Sequence, residues 1–267
     1  MIQIRSPKND RESIEVPKAM ANLQKAFNGT VCSKTGDEFK ISQNILDLLE
    51  GSPTESSMAQ LTNHWKLTAT MYEDLWRTKA LSLMSGEDFP IAEEQRLLIE
   101  WTMPKAGGVY LDAGCSTALY SRALLKHQEQ AQVIALDFSL EMLLEARRRS
   151  IADSVQPYLF RADASKMPFF TDTFDGIVCG GTLNELFNPT KVLHEFRRVI
   201  KADGEVFLMY LLKADSWYGK LLQEPIKLSG IKFWTKEESN ELFEQAGFKV
   251  SRQIVRGIVC FAKLVSA

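Results

Sequence analysis

Residues Val109-Tyr110-Leu111-Asp112-Ala113-Gly114-Cys115-Ser116-Thr117-Ala118-Leu119-Tyr120 decide the fold. An apolar run of strand length passes through a turn of small residues into a helical pattern. Such a strand–turn–helix unit offers backbone N–H groups and a helix N-terminus to a ligand, as nucleotide-type cofactor sites do. A dinucleotide fingerprint would read Gly-x-Gly-x-x-Gly; this loop has Gly114 but carries Ser116 and Ala118 where further glycines could stand. The loop by itself does not choose a cofactor.

Its weight comes from the strands that follow. Gln132-Val133-Ile134-Ala135-Leu136-Asp137 reads as a second buried strand ending in an acid, at the distance where a ribose-binding carboxylate belongs. A third strand, 156–160, leads to Arg161-Ala162-Asp163-Ala164, and a fourth, 174–179, leads to Gly180-Gly181. Four strand ends thus deliver a polar or small residue toward one edge. An acid at the end of an apolar strand is costly unless it has a partner.

Leu111-Asp112-Ala113-Gly114-Cys115, Ala135-Leu136-Asp137-Phe138-Ser139-Leu140-Glu141-Met142-Leu143, Ala162-Asp163-Ala164-Ser165-Lys166-Met167-Pro168-Phe169 and Phe174-Asp175-Gly176-Ile177-Val178 come in this order. With Leu193-His194-Glu195-Phe196-Arg197-Arg198-Val199-Ile200-Lys201-Ala202-Asp203-Gly204, the set resembles the class I S-adenosylmethionine (SAM)-dependent methyltransferases over roughly residues 105–265. Within them it looks most like the ubiquinone/menaquinone C-methyltransferase group, which carries a methyltransferase type 11 domain. The resemblance implies an α/β fold: a doubly wound, seven-stranded, mostly parallel sheet of Rossmann-like kind. It gives Asp137 the ribose hydroxyls, and Asp163 with the backbone N–H of Ala164 the adenine edge. Phe138 and Met142 would sandwich the adenine, while Asp112, Gly114, Cys115 and Ser116 would meet the methionine end, with Cys179 beside them. Each also has a structural alternative: Asp112 as a loop cap, Asp163 as a turn residue, Phe138 and Met142 as core. Ser116 and Ala118 are small enough to replace glycine, provided that φ at Ala118 is negative.

Methyl transfer from a sulfonium needs mainly alignment and exclusion of water, and a base only where the acceptor loses a proton. The sequence names no base. Candidates are His64 and Tyr72, Asn184 and Glu185 after the fourth strand, and Tyr210 or Trp217 beyond the fifth. His127 and His194 fall on helices away from that edge.

The composition is that of a globular protein: 267 residues, 45% hydrophobic and 25% charged. A formal net charge of −2 argues against a general polyanion binder, so no nucleic-acid partner is expected. The basic run Arg147-Arg148-Arg149 ends a helix, where cations complement the dipole. No segment has the ~20 apolar residues of a membrane span, and residues 1–18 lack the apolar core of a secretory signal. A cytoplasmic location follows as the expectation, with peripheral membrane contact left open. Four scattered cysteines, Cys32, Cys115, Cys179 and Cys260, suggest packed, reduced thiols.

Three regions are expected. Residues 1–57 form an N-terminal extension, disordered up to residue 22, with a small hairpin turning at Lys34-Thr35-Gly36-Asp37. It resembles a degenerate form of the zinc-ribbon-like head that precedes some methyltransferase domains; Thr35 stands three after Cys32 where a second cysteine would bind zinc, so no metal is expected. Residues 58–105 carry helix-spaced apolar positions, among them Leu61, Trp65, Met71 and Trp76, and form a helical lid. Residues 106–267 are the SAM-binding domain, with an aromatic-rich insertion at 212–233 covering the acceptor pocket.

The leading functional expectation is methyl transfer from SAM to a small, apolar or aromatic acceptor. A catalytically silent SAM-binding or interaction module is the alternative. An NAD-type oxidoreductase is disfavoured by the missing glycines and by the Asp163-Ala164 pair.

Overall fold

The computed structural model describes residues 2–7, 12–49, 82, 84, 89–228 and 230–267. At the N-terminus, β1 (Ile2–Arg5) and β2 (Ser13–Val16) pair as a hairpin, followed by β3 (Gly29–Cys32), β4 (Glu38–Ser42) and β5 (Ile45–Asp47). Helix α1 (Ile91–Thr102) then precedes the alternating part of the chain. There β6 (Val109–Ala113), α2 (Leu119–His127), β7 (Gln132–Asp137), α3 (Leu140–Ala152), β8 (Tyr158–Arg161), β9 (Phe174–Gly180), α4 (Pro189–Val199) and β10 (Ile200–Leu211) follow one another. Helices α5 (Trp217–Leu228) and α6 (Lys236–Gln245) and the hairpin of β11 (Phe248–Arg256) and β12 (Val259–Ser266) complete it.

The main sheet runs β11-β12-β10-β9-β6-β7-β8-β5-β4-β3. Strands β10, β9, β6, β7, β8 and β5 are mutually parallel, with antiparallel pairs at both ends. From β6 the chain winds outward through β7 and β8, then returns to β9 and β10 on the other side. The reversal lies between β6 and β9, and a doubly wound sheet binds ligands in the crevice at that point.

Two expectations are corrected here. The sheet has ten strands among the described residues rather than seven, because β5 pairs in parallel with β8 and carries β4 and β3 with it. The N-terminal extension is thus welded onto an edge that would otherwise expose unpaired backbone groups. Nor are the first 22 residues structureless where described: Ile4, Ile14, Val16 and Met20 are buried in the main core, and Arg5 N–H donates to Pro168 O at 2.9 Å. The expected turn at Lys34-Thr35-Gly36-Asp37 is present. Glu12 Oε2 accepts from both the backbone N–H and the hydroxyl of Thr35, at 3.2 and 2.8 Å, so this carboxylate ties the β2 hairpin to the β3–β4 turn.

Helices cover both faces of the sheet. On one, Val133, Val178, Phe207 and Phe261 pack against Leu98 and Trp101 of α1 and Tyr120 and Leu124 of α2. On the other, Ile134, Ile177 and Leu208 meet Phe196 of α4 and Phe243 of α6. Helix starts follow their sequence signals. Asn188 caps α4 with Pro189 in its first turn, and Thr235 and Glu238 form the expected capping box of α6. Apart from Ser82, Met84 and residues 89–105, the proposed lid lies outside the described residues; so do His64 and Tyr72.

Candidate functional site

The turn after β6 is stitched to its neighbour. The N–H groups of Gly114 and Cys115 both donate to Leu136 O, at 2.8 and 3.0 Å. Gly114 has φ +69°, and a Cβ there would sit 2.4 Å from Thr182 Cγ2. Thr182 opens the single helical turn Thr182–Glu185 after β9, and its hydroxyl donates to Gly114 O at 2.9 Å. Glycine is required here both by backbone conformation and by this close approach.

Ser116 and Ala118 also have positive φ, +49° and +60°. For Ala118 this corrects the expectation of a negative value. The chain must turn from strand to helix within a few residues: Ala118 N–H donates to Cys115 O at 2.7 Å, while its own carbonyl accepts from Arg122 N–H at 2.9 Å. A left-handed L-residue costs roughly 1–2 kcal/mol. Burial of the Ala118 methyl in a cluster with Cys115, Ala135 and Leu143 offsets part of that.

The three acids at the strand ends hold the backbone around them. Asp112, 2% exposed, accepts from the N–H and hydroxyl of Ser121 at 2.9 and 2.7 Å, which anchors the first turn of α2. Asp137 accepts from Ser116 N–H on Oδ2 at 2.7 Å and from Ser139 N–H on Oδ1 at 2.8 Å. Asp163 Oδ1 accepts from Ser165 N–H at 2.7 Å, closing the turn that holds Ala164. The sheet register aligns these ends: Asp112 faces Ala135 and Val178, and Asp137 faces Arg161.

The remaining residues divide. Phe138 is half-buried at the end of β7; Met142 is buried, its sulfur accepting from the Ser116 hydroxyl at 3.4 Å. Burial pushes the Cys115 thiol well up and that of Cys179 to about 12, the negative charge of Asp112 adding to both. Neither is a thiolate at neutral pH, and both are buried. Asn184 is buried and its amide is engaged: Nδ2 donates to Leu211 O and Lys232 O, and Oδ1 accepts from Leu211 N–H at 2.8 Å. It joins the turn after β9 to the end of β10. Tyr210 is buried on the α6 face against Phe243, with Gln253 donating to its hydroxyl and Ser239 beside it. Burial raises its pKa strongly, so this phenol does not act as a base at neutral pH. Trp217 is 77% exposed at the start of α5, and Glu185 is half-buried in the turn after Asn184.

Thr182, Ser121 and Ser139 were not singled out by sequence. Ser139 had a signal, since it caps α3 by accepting from Met142 N–H. Thr182 had none, because its contact with Gly114 spans 68 residues.

A solved structure of a SAM-dependent methyltransferase from Aquifex aeolicus has this architecture, with TM-score 0.60 and 22% identity over 76% of this chain and 99% of that one. The fold is thus of the doubly wound, Rossmann-like α/β class. A family model described as "Methyltransferase domain" matches residues 111–208. A demethylmenaquinone methyltransferase from Bacillus subtilis is 30% identical over 173 residues, 54% of this chain and 72% of that enzyme. The chain belongs to this methyltransferase family, a family of enzymes with SAM as cofactor. An uncharacterized chloroplastic methyltransferase from Arabidopsis thaliana is 26% identical over 195 residues, 68% of this chain; the chain spans 54% of that relative's length.

The residues present suit that cofactor. The turn that begins at Gly114, where no side chain fits, leads into the α2 N-terminus, and carboxylates end β7 and follow β8. No helix among the described residues is long and apolar enough to cross a membrane.

Proposed function

We propose that this protein transfers a methyl group from SAM to an apolar aromatic acceptor of the isoprenoid-quinone kind. The observation that carries the reading is the alignment of the Gly114–Ala118 turn, Asp137 and Asp163 at the carboxyl ends of three adjacent parallel strands, beside the switch point. When bound, SAM supplies an electrophilic methyl on a sulfonium whose leaving group is already activated.

In this reading each residue has a binding task. Asp137 accepts hydrogen bonds from the ribose hydroxyls; a carboxylate has about four acceptor sites, so this is compatible with the N–H groups of Ser116 and Ser139 on the same group. Asp163 and the Ala164 N–H read the adenine edge, and Phe138 lies against the ring. Met142 supports Ser116 from beneath rather than touching the base. The methionine end lies against the turn that begins at Gly114, its carboxylate toward the N-terminus of α2, while the N–H groups of Gly114, Cys115 and Ser116 stay on Leu136 and Asp137. Cys115 and Cys179 line the wall, and Asp112 acts through Ser121 to fix the loop.

The acceptor class rests on apolar surface and on kinship. Phe187, Trp217, Leu221 and Leu228 are exposed on segments following the carboxyl ends of β9 and β10, as an apolar acceptor requires. The Bacillus subtilis relative is named for a quinone substrate, demethylmenaquinone. Where the acceptor must lose a proton, Glu185 is the carboxylate of the β9 turn that takes it. Asn184 and Tyr210 are committed to packing.

The test is incubation with methyl-tritiated SAM and a short-chain prenyl hydroquinone lacking one ring methyl. Label in the organic phase is the expected result. Binding of S-adenosylhomocysteine with no label entering prenyl hydroquinones or a lipid extract would instead favour the silent binding module.

A further inference from the structure

We propose that Glu94 is a positioning residue for the cofactor loop and acts through Tyr120, so that α1 helps to set cofactor affinity. This rests on the reading that the Gly114–Ala118 turn holds SAM. Glu94 lies in the first turn of α1 and is 0% exposed. The Tyr120 hydroxyl donates to Glu94 Oε1 at 2.5 Å. Tyr120 belongs to the first turn of α2, immediately after the loop, and its ring packs edge-on against Phe207 at 5.7 Å. A carboxylate taken wholly out of water is expensive to keep. Here it grips the helix that the loop feeds.

The neighbouring residue shows the same device. Ser121 is held by Asp112, so two successive residues in the first turn of α2 are each bound by a carboxylate, one from β6 and one from α1. Asp112, which takes the Ser121 N–H, places its negative charge where a helix N-terminus favours it. The loop needs such anchors, because Ser116 and Ala118 occupy left-handed conformations that neither residue favours unaided. Its strand end is fixed by Thr182 and Leu136 on Gly114, and its helix end by Asp112 and Glu94. Releasing Tyr120 frees the helix end, and the turn loses part of what holds its shape against the ligand.

The test is titration calorimetry of the full chain with S-adenosylhomocysteine, with melting temperature measured beside it. Tyr120→Phe is expected to weaken binding about tenfold, and Glu94→Gln to stay within about threefold of the unmodified protein, because an amide oxygen still accepts from the phenol. Tyr120→Phe removes a hydrogen bond from a buried carboxylate and can lower stability by itself. The double variant Glu94→Leu with Tyr120→Phe removes both polar groups of this contact and, measured in its folded state, is expected to bind about tenfold more weakly. With an acceptor in hand, the KM for SAM should rise by the same factor while kcat holds.

A folded double variant that binds like the unmodified protein overturns the inference, as does a fall in melting temperature with affinity unchanged. If the unmodified protein fails to bind S-adenosylhomocysteine, the cofactor reading falls and this inference with it. That result is distinct from normal binding by the unmodified protein with no change in the variants.

Discussion

The backbone N–H of Ser116 donates to Asp137 Oδ2 at 2.7 Å, joining the loop after β6 to the end of β7. The other carboxylate oxygen holds Ser139 at the start of α3, so one acid clamps two segments. Asp137→Ala should therefore lower stability by about 1–3 kcal/mol by urea denaturation, since two N–H groups lose a charged acceptor. An unchanged midpoint would show that the clamp is not structural.

Gly114→Ala meets two obstacles at once, a positive φ and a Cβ overlapping Thr182. A loss of about 2–5 kcal/mol is expected, the sum of backbone strain and overpacking. Adding Thr182→Gly should recover the packing share, less the lost Thr182–Gly114 hydrogen bond, and leave the backbone share. Full recovery would mean that φ at this position does not matter.

Ala118 separates backbone strain from burial. Ala118→Gly relieves a left-handed φ worth roughly 1–2 kcal/mol but deletes a buried methyl worth about 0.8 kcal/mol, so the melting temperature should hold or rise slightly. Ala118→Val should be strongly destabilising, because a β-branched side chain resists positive φ. A clear loss of stability on Ala118→Gly would contradict this account of the loop.

Acid lability follows from carboxylates that the fold pairs with cations. Burial opposes ionisation of Asp175, but Lys201 Nζ at 2.7 Å and Val109 N–H at 2.8 Å outweigh it and hold the carboxyl below its ordinary value. Asp153, bound by Lys126 and Arg122, is shifted the same way against its own burial. A folded pKa below the unfolded one means stability that is complete above the unfolded value, about 3.9, and lost as pH falls through the folded one. Melting temperature should therefore drop below about pH 4, and Lys201→Met should flatten part of that drop. An acid slope that Lys201→Met leaves untouched would exclude Asp175 as a source.

Much of the site half was legible because its cues are local. An apolar run closing on an acid, as in β7, marks both a buried strand and a costly carboxylate at its end, and the Asn188-Pro189 and Thr235–Glu238 caps mark helix starts. Other features depend on distant partners. The pairing of β5 with β8 joins residues far apart in sequence, and three-residue β5 has too little length to announce itself as a strand of the main sheet. The positive φ of Ala118 is imposed by the closure of the loop onto α2, which an alanine does not advertise. Asn184 and Tyr210 looked available because polar residues near strand ends often face a ligand. Their partners at Leu211, Lys232, Ser239 and Gln253 appear only once the chain is folded.

The central claim is that the strand-end acids and the Gly114 turn hold SAM, and calorimetry with S-adenosylhomocysteine on the unmodified protein and on Asp137→Ala tests it most directly. The account predicts binding at one site per chain, weakened about thirtyfold or more in the folded variant, equivalent to ~2 kcal/mol from the lost charge-assisted hydrogen bonds. Equal affinity in the two proteins, or tight binding of NAD with none of S-adenosylhomocysteine, would contradict it.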